Sequence, residues 1–278
     1  GNRNSWLTVN AGTGSLDLSD GTLVVTGSTT LTSAGTMDLS STSLTGTNGN
    51  LRADVLIDSE DDLNMADTRI TTQGSLQIDG EADVTFGPST VLNLGFNSSK
   101  GSTPLTISAA GNLDLANADI DVFNNFAGDE DLLIEAGGNL DLGTADLTYD
   151  VATQLDLVTT TIRAGGNITS SGGNVIDVAG ATLIEGDSVS LADTGITVDH
   201  FAANGSGLTV NATTGVLDLS QSNLTVAGPT TLSSATTMNL SSMSLVGNNL
   251  GGTSNLSVDS EGNLNMIGTS ITTAGSVA

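Results

Sequence analysis

There is no cysteine in this chain, one tryptophan, one tyrosine and three prolines, and lysine and arginine together number five. Each scarcity excludes something. Without cysteine there are no disulfide staples, thiolate metal sites or cysteine nucleophiles. Five cations against 31 acidic residues leave a net charge of −26. That balance lacks the lysine and arginine that phosphate neutralisation needs, so nucleic acid is not an expected partner. No apolar run approaches the ~18 residues of a spanning helix, so no membrane insertion by a helix is expected. No basic segment with an apolar core precedes Ser5, so no signal peptide is expected in this stretch. The chain begins on Gly1 rather than methionine, as a processed product or a piece of a longer protein would.

What is present is aliphatic and small. Hydrophobic residues make up 37% while aromatics make up 3%, and the mean hydropathy is +0.11. An acidic disordered chain lacks that much material to bury. Most of the rest is Ser, Thr, Gly, Asn and Asp, the chemistry of strands and turns.

Self-similarity fixes the architecture. Leu7-Thr-Val-Asn-Ala11 returns as Leu208-Thr-Val-Asn-Ala212, and the stretches 5–77 and 206–278 align without a gap at an offset of 201, with 41 of 73 residues identical. A shorter pattern lies inside: apolar-x-apolar, four residues, apolar. It occurs at 16–23, 37–44, 63–70, 113–120, 140–147, 155–162, 176–183, 189–196, 217–224, 238–245 and 264–271. Strict alternation predicts half-buried strands, the outer residues of each triplet inward and the middle one outward. Short strands recurring every 20–27 residues with small-residue turns predict a β-solenoid: all-β, a right-handed parallel β-helix running continuously over 1–278. At about 4.8 Å per coil this gives about 12 coils and a rod of about 60 Å.

The motifs Gly111-Asn-Leu-Asp-Leu115 and Gly138-Asn-Leu-Asp-Leu142, each followed by four residues and Ile or Leu, resemble those of filamentous haemagglutinin-like proteins, which are large secreted bacterial adhesins. The resemblance implies a right-handed parallel β-helix, a bacterial extracellular or cell-surface location, and an adhesive or structural role.

The middle residue of the triplet is the candidate site. It is Asp17, Asp38, Asp114, Asp141, Asp156, Asp177 and Asp218, with Asn64, Asn239, Asn265 and Ser190 completing the set. Stacked at about 4.8 Å, neighbouring carboxylates repel by about 0.9 kcal/mol in bulk water. One reading is a line of cation sites, with calcium as the natural ion because it takes carboxylate, amide and water oxygens. The other is a solvated acidic face screened by salt. Both stay open, although the glycine-rich nonapeptide of calcium-binding β-rolls is absent; no cofactor is required. A threonine follows the motif at Thr45, Thr71, Thr148, Thr197, Thr225 and Thr272, interrupted by Val24, Asp121, Arg163 and Ile184.

Catalysis is not expected. The cations Arg3, Arg52, Arg69, Lys100 and Arg163 are scattered, and His200 has no second histidine to work with. A carbohydrate-active β-helix would need two converging carboxylates. Two stretches, 86–104 and 122–131, read as loops leaving the rod, where a glycan- or receptor-binding site would sit. Neither end of the repeat pattern carries an amphipathic cap, which leaves two routes to a long fibre, covalent repeats or end-to-end stacking. The expected role is therefore a stiff acidic fibre or surface filament, with itself, cations and surface glycans as partners. The alternative is an adhesin region with binding loops.

Overall fold

The computed structural model describes residues 5–48, 52–96, 104–124, 131–151, 159–198, 206–248 and 253–278. Their strands form three parallel sheets of eleven strands each, and consecutive strands of the chain pass from sheet A to B to C and back to A. Sheet A opens with Leu7–Asn10, sheet B with Leu16–Asp17 and sheet C with Thr22–Val25. Every pairing joins a strand to its counterpart one turn on, so the described residues form a β-solenoid of eleven coils. Coils one to eleven are counted by their first sheet B residue: Leu16, Met37, Leu63, Val84, Leu113, Leu140, Ile168, Val189, Leu217, Met238 and Leu264. Eleven coils, rather than twelve, make a rod of about 53 Å.

The core is a set of residue columns. In sheet A, Val9, Leu31, Ile57, Ile78, Ile107, Ile134, Ile162, Ile184, Val210, Leu232 and Val258 lie in one register line. β-Branched side chains dominate because they pack well on a pleated surface. The triplet's first residue supplies a second column in sheet B. Leu23, Leu44, Ile70, Leu92, Ile120, Leu147, Ile176, Ile196, Leu224, Leu245 and Ile271 supply a third in sheet C. Alternating burial along the strands bears out the inward–outward assignment.

The long repeat acquires a structural meaning. Leu7–Asn10 corresponds at offset 201 to the strand Leu208–Ala212, which is eight coils further along. One repeat is therefore eight coils, at about 25 residues each. Coils differ in length mainly at one corner. The connection from A to B has two to five residues and that from B to C three to five, whereas C to A ranges from two to nine.

The sequence motif misplaces two coils. Coils four and seven start at Val84 and Ile168, and their sheet C residues Leu92 and Ile176 come eight positions later instead of seven. Pro88 and the pair Gly172-Gly173 lie in these longer corners. The run 176–183 is not a sheet B triplet, and the triplet of the run 155–162 lies outside the described residues. Ile162 and Leu183 belong to sheet A and Ile176 to sheet C. Arg163 and Ile184 are likewise sheet A residues and do not interrupt the threonine line, which runs along sheet C.

Candidate functional site

The outward line of sheet B is continuous. It reads Asp17, Asp38, Asn64, Thr85, Asp114, Asp141, Thr169, Ser190, Asp218, Asn239 and Asn265 from coil one to coil eleven. Five of the seven predicted aspartates are therefore in one column. Asp177 is not: it lies on sheet C, in register with Thr148 and Thr197. Its motif began on a sheet C strand, so its alternation belongs to another face. Asp156 lies outside the described residues. Carboxylate meets carboxylate twice, at Asp17–Asp38 and Asp114–Asp141.

Each aspartate and asparagine of the line holds a corner. The backbone NH two residues on donates to Oδ1 of Asp17, Asp38, Asp114, Asp141 and Asp218 at 2.8–3.0 Å. The amide oxygens of Asn64, Asn239 and Asn265 accept the same bond at 3.1–3.3 Å. These are Asx turns, which explains why the position is Asp or Asn so often. After the bonded NH, Asp20, Ser41, Asp67, Gln221 and Ser242 have φ between 56° and 62° and Gly268 takes the same place at 73°, whereas in coils five and six the bonded residues Ala116 and Gly143 themselves turn, at 46° and 53°. Asn side chains also link coils: Nδ2 of Asn64 donates to Asp38 Oδ1 at 3.2 Å, and Nδ2 of Asn239 donates to Asp218 Oδ1 at 3.1 Å. Asp17 additionally accepts from the Ser19 hydroxyl, and that bond with the Ser19 NH lowers its pKa. Among the described residues no group of three or more histidine, cysteine, aspartate or glutamate side chains is placed to hold a metal ion.

Two further ladders escaped the sequence reading. At the corner from A to B, the Oδ1 atoms of Asp62, Asp83, Asn112 and Asn139 each accept the backbone NH of the corresponding residue one coil on, at 2.7–3.2 Å. This accounts for the Gly-Asn signature. A Cβ on Gly138 would sit 2.6 Å from Asn112 Oδ1 and 3.0 Å from the Gly111 carbonyl oxygen. The second ladder is buried. Thr42, Thr68, Thr90 and Ser222 occupy the last place of the B-to-C corner and are buried. Their hydroxyls donate to the carbonyls of Leu18, Leu39, Met65 and Leu191 in the coil before, at 2.6–2.9 Å. The sequence signal was there, a hydroxyl among four residues read as variable.

Sheet A carries charged contacts of both signs. Asp58 stacks on Asp79. Burial first, then Asp79 and Glu60, push the Asp58 carboxyl above its ordinary value. Elsewhere on this face Arg163 lies between Glu135 at 4.0 Å and Glu185 at 3.4 Å, and Asn211 Nδ2 donates to Glu185 at 3.0 Å. Of the two expected loops, much is regular. Phe86 is buried in sheet B, Val91–Phe96 and Asp119–Asn124 are sheet C strands, and Phe123 faces outward. Residues 97–103 and 125–130, with Lys100, and also His200, lie outside the described residues. No family model, curated protein or solved structure matches the chain.

Proposed function

We propose that the chain is a length of stiff acidic fibre, a segment of a large extracellular repeat protein at a bacterial surface, with the mechanical work of reaching, spacing or forming a matrix. The observation that carries this reading is the unbroken pairing of eleven coils in three sheets around a single core. Each coil leans on its neighbours, so stiffness and stability accumulate along the axis. A net charge of −26 over about 53 Å is about one charge per 2 Å, near the density of duplex DNA. Such a rod gathers a diffuse cloud of cations and resists lateral clumping. Its motif resemblance to filamentous haemagglutinin-like proteins supports the extracellular placement, and the reading assigns the rod no catalytic role. The test is electron microscopy with small-angle scattering, in EDTA and in millimolar calcium. Straight rods of constant cross-section in both are expected; a bent or collapsed particle in either would refute the reading.

The corner from C to A favours a second reading, an adhesin region. It absorbs connections of up to nine residues while the other corners stay short, and variable connections on a rigid scaffold are where binding residues collect. Glycan-array binding that disappears when the segment 97–103 is replaced by Thr-Gly-Ser, the short form seen at 26–28, would establish it. Binding unaffected by that exchange would remove it.

A further inference from the structure

We infer that the outward face of sheet A between coils three and eight is a docking surface for a cationic amphipathic helix, whose apolar stripe lies on Leu56, Leu133 and Leu183 and whose lysines or arginines meet the carboxylates on either side. Such docking goes beyond the fibre reading and is independent of it.

Strand alternation sends every second residue of sheet A outward. One outward line runs through Leu56, Gln77, Thr106, Leu133, Thr161 and Leu183 from coil three to coil eight. In a chain with 31 acidic residues, this line carries no charge in any of the eleven coils. Its three leucines are half-buried.

Carboxylates flank those leucines. The outward side of coil six reads Asp131, Leu133 and Glu135. Coil three repeats the arrangement with Asp54, Leu56 and Asp58, and coil eight sets Glu185 beside Leu183. Where the line has threonine in coils one, two, five, nine and ten, the place of the second carboxylate is taken by Asn10, Thr32, Ser108, Asn211 and Ser233. Leucine on this line is therefore always coupled to a carboxylate two residues on, and threonine never is.

An uncharged column bounded by acid specifies its occupant by charge complementarity. An extended peptide laid along the column offers a single file of side chains. An amphipathic helix offers an apolar stripe with charged rows on both flanks. Outward residues two apart on a strand are about 6.6 Å apart, so the flanking rows are separated by about 13 Å, close to the diameter of about 10–12 Å of a helix with its side chains. Five coil steps span about 24 Å, the length of about sixteen helical residues. The acidic rows also have room for more cations. Arg163 serves Glu135 and Glu185, and Arg52 serves Asp54, but Asp58 and Asp79 stack with no ion pair among the described residues. Burial, Asp79 and Glu60 hold the Asp58 carboxyl above its ordinary value, and an incoming ammonium or guanidinium favours its charged form.

The test titrates the 278-residue chain with a helical leucine–lysine peptide of about sixteen residues, its leucines on one stripe, and with an oligolysine of equal length. The variant Leu56→Thr/Leu133→Thr/Leu183→Thr removes the apolar line. Threonine already stands at this place in six other coils, and an unchanged urea midpoint checks that the rod is intact. The helical peptide is expected to bind the parent chain at least about tenfold more tightly than oligolysine does, and the leucine variant to lose at least about tenfold toward the helical peptide and nothing toward oligolysine. A second variant, Glu135→Gln/Glu185→Gln, is expected to weaken the helical peptide's binding and flatten its salt dependence. Equal binding of the two peptides, or helical-peptide binding unchanged in the leucine variant, would reduce the face to diffuse polyanion behaviour and overturn the docking site. A dimer of the parent chain alone that the leucine variant dissolves would assign the face to a second copy and overturn it too. None of these outcomes touches the fibre reading, which rests on the pairing of the coils.

Discussion

Replacing Asp141 by asparagine separates the two readings of the sheet B column, because they predict opposite signs. Asp141 stacks directly on Asp114, and its Oδ1 holds the NH of Gly143 at 2.9 Å. Asparagine keeps that acceptor. It also gains an Nδ2 donor toward Asp114, in the arrangement Asn64 makes with Asp38 at 3.2 Å. Removing one charge of a pair about 4.8 Å apart relieves about 0.9 kcal/mol in water without salt, and about 0.5 kcal/mol when screened at physiological ionic strength. The new bond, partly exposed to solvent, adds about 0.5 kcal/mol. Asp141→Asn is therefore expected to stabilise the rod by about 1 kcal/mol, and more at low salt. Asp141→Ala loses the Asx turn and costs about 1 kcal/mol less whatever repulsion it relieves, so it falls clearly below the asparagine variant. Urea midpoints of the three proteins, measured in EDTA at two salt concentrations and again in millimolar calcium, read this directly. A column built around bound calcium would reverse the order, with Asp141→Asn losing stability when calcium is present. That result would refute the turn-based account of the aspartates.

Three further outcomes follow from the geometry. Thr68→Val keeps shape and β-branching but removes the buried hydroxyl that donates to Leu39 at 2.7 Å; Leu39 retains the Thr42 NH, so the loss is expected near 1 kcal/mol with faster exchange in coils two and three. Gly138→Ala forces a methyl against Asn112 and the Gly111 carbonyl and is expected to cost about 1–3 kcal/mol in the urea midpoint, with the corner from A to B exchanging fastest. Asp58 has a folded-state pKa raised above 3.8, so the folded state binds its proton more tightly than the unfolded chain. Its charge costs stability at neutral pH, and that cost disappears as pH falls through the raised value. Asp58→Asn is accordingly expected to stabilise at pH 7 and to give no advantage at pH below 3.8, measured by midpoints across that range.

The sequence made the strand alternation, the parallel stacking and the 201-residue repeat legible because each is carried by strict periodicity at inward positions, while the division of that repeat into eight coils needed the strand order. Asp17, Asp38, Asp114, Asp141 and Asp218 were found because a side chain between two inward apolar residues has only one face to occupy. Asp177 was misplaced because a fixed spacing was imposed on a corner that grows by one residue in coil seven, where Gly172 and Gly173 adopt φ of 88° and 78°. Coil four was missed for the same reason at Pro88. The Thr42–Thr68–Thr90 ladder was overlooked because a hydroxyl next to Ser41, Asp67 or Ser89 looks like any turn residue. Its role exists only once the previous coil supplies a carbonyl.

Confining most of the length variation to the corner from C to A makes the rod more tolerant of editing along one line than elsewhere. A residue added between sheets A and B, or B and C, must be absorbed by the Asx turns and the amide ladders that keep successive coils in step. A residue added between C and A meets no such fixed measure, as connections of two, three, eight and nine residues in neighbouring coils attest. Insertions and deletions can therefore accumulate there, or be engineered there, without the rest of the coil losing its alignment. The solenoid has in effect one edge open to novelty and two corners that keep count.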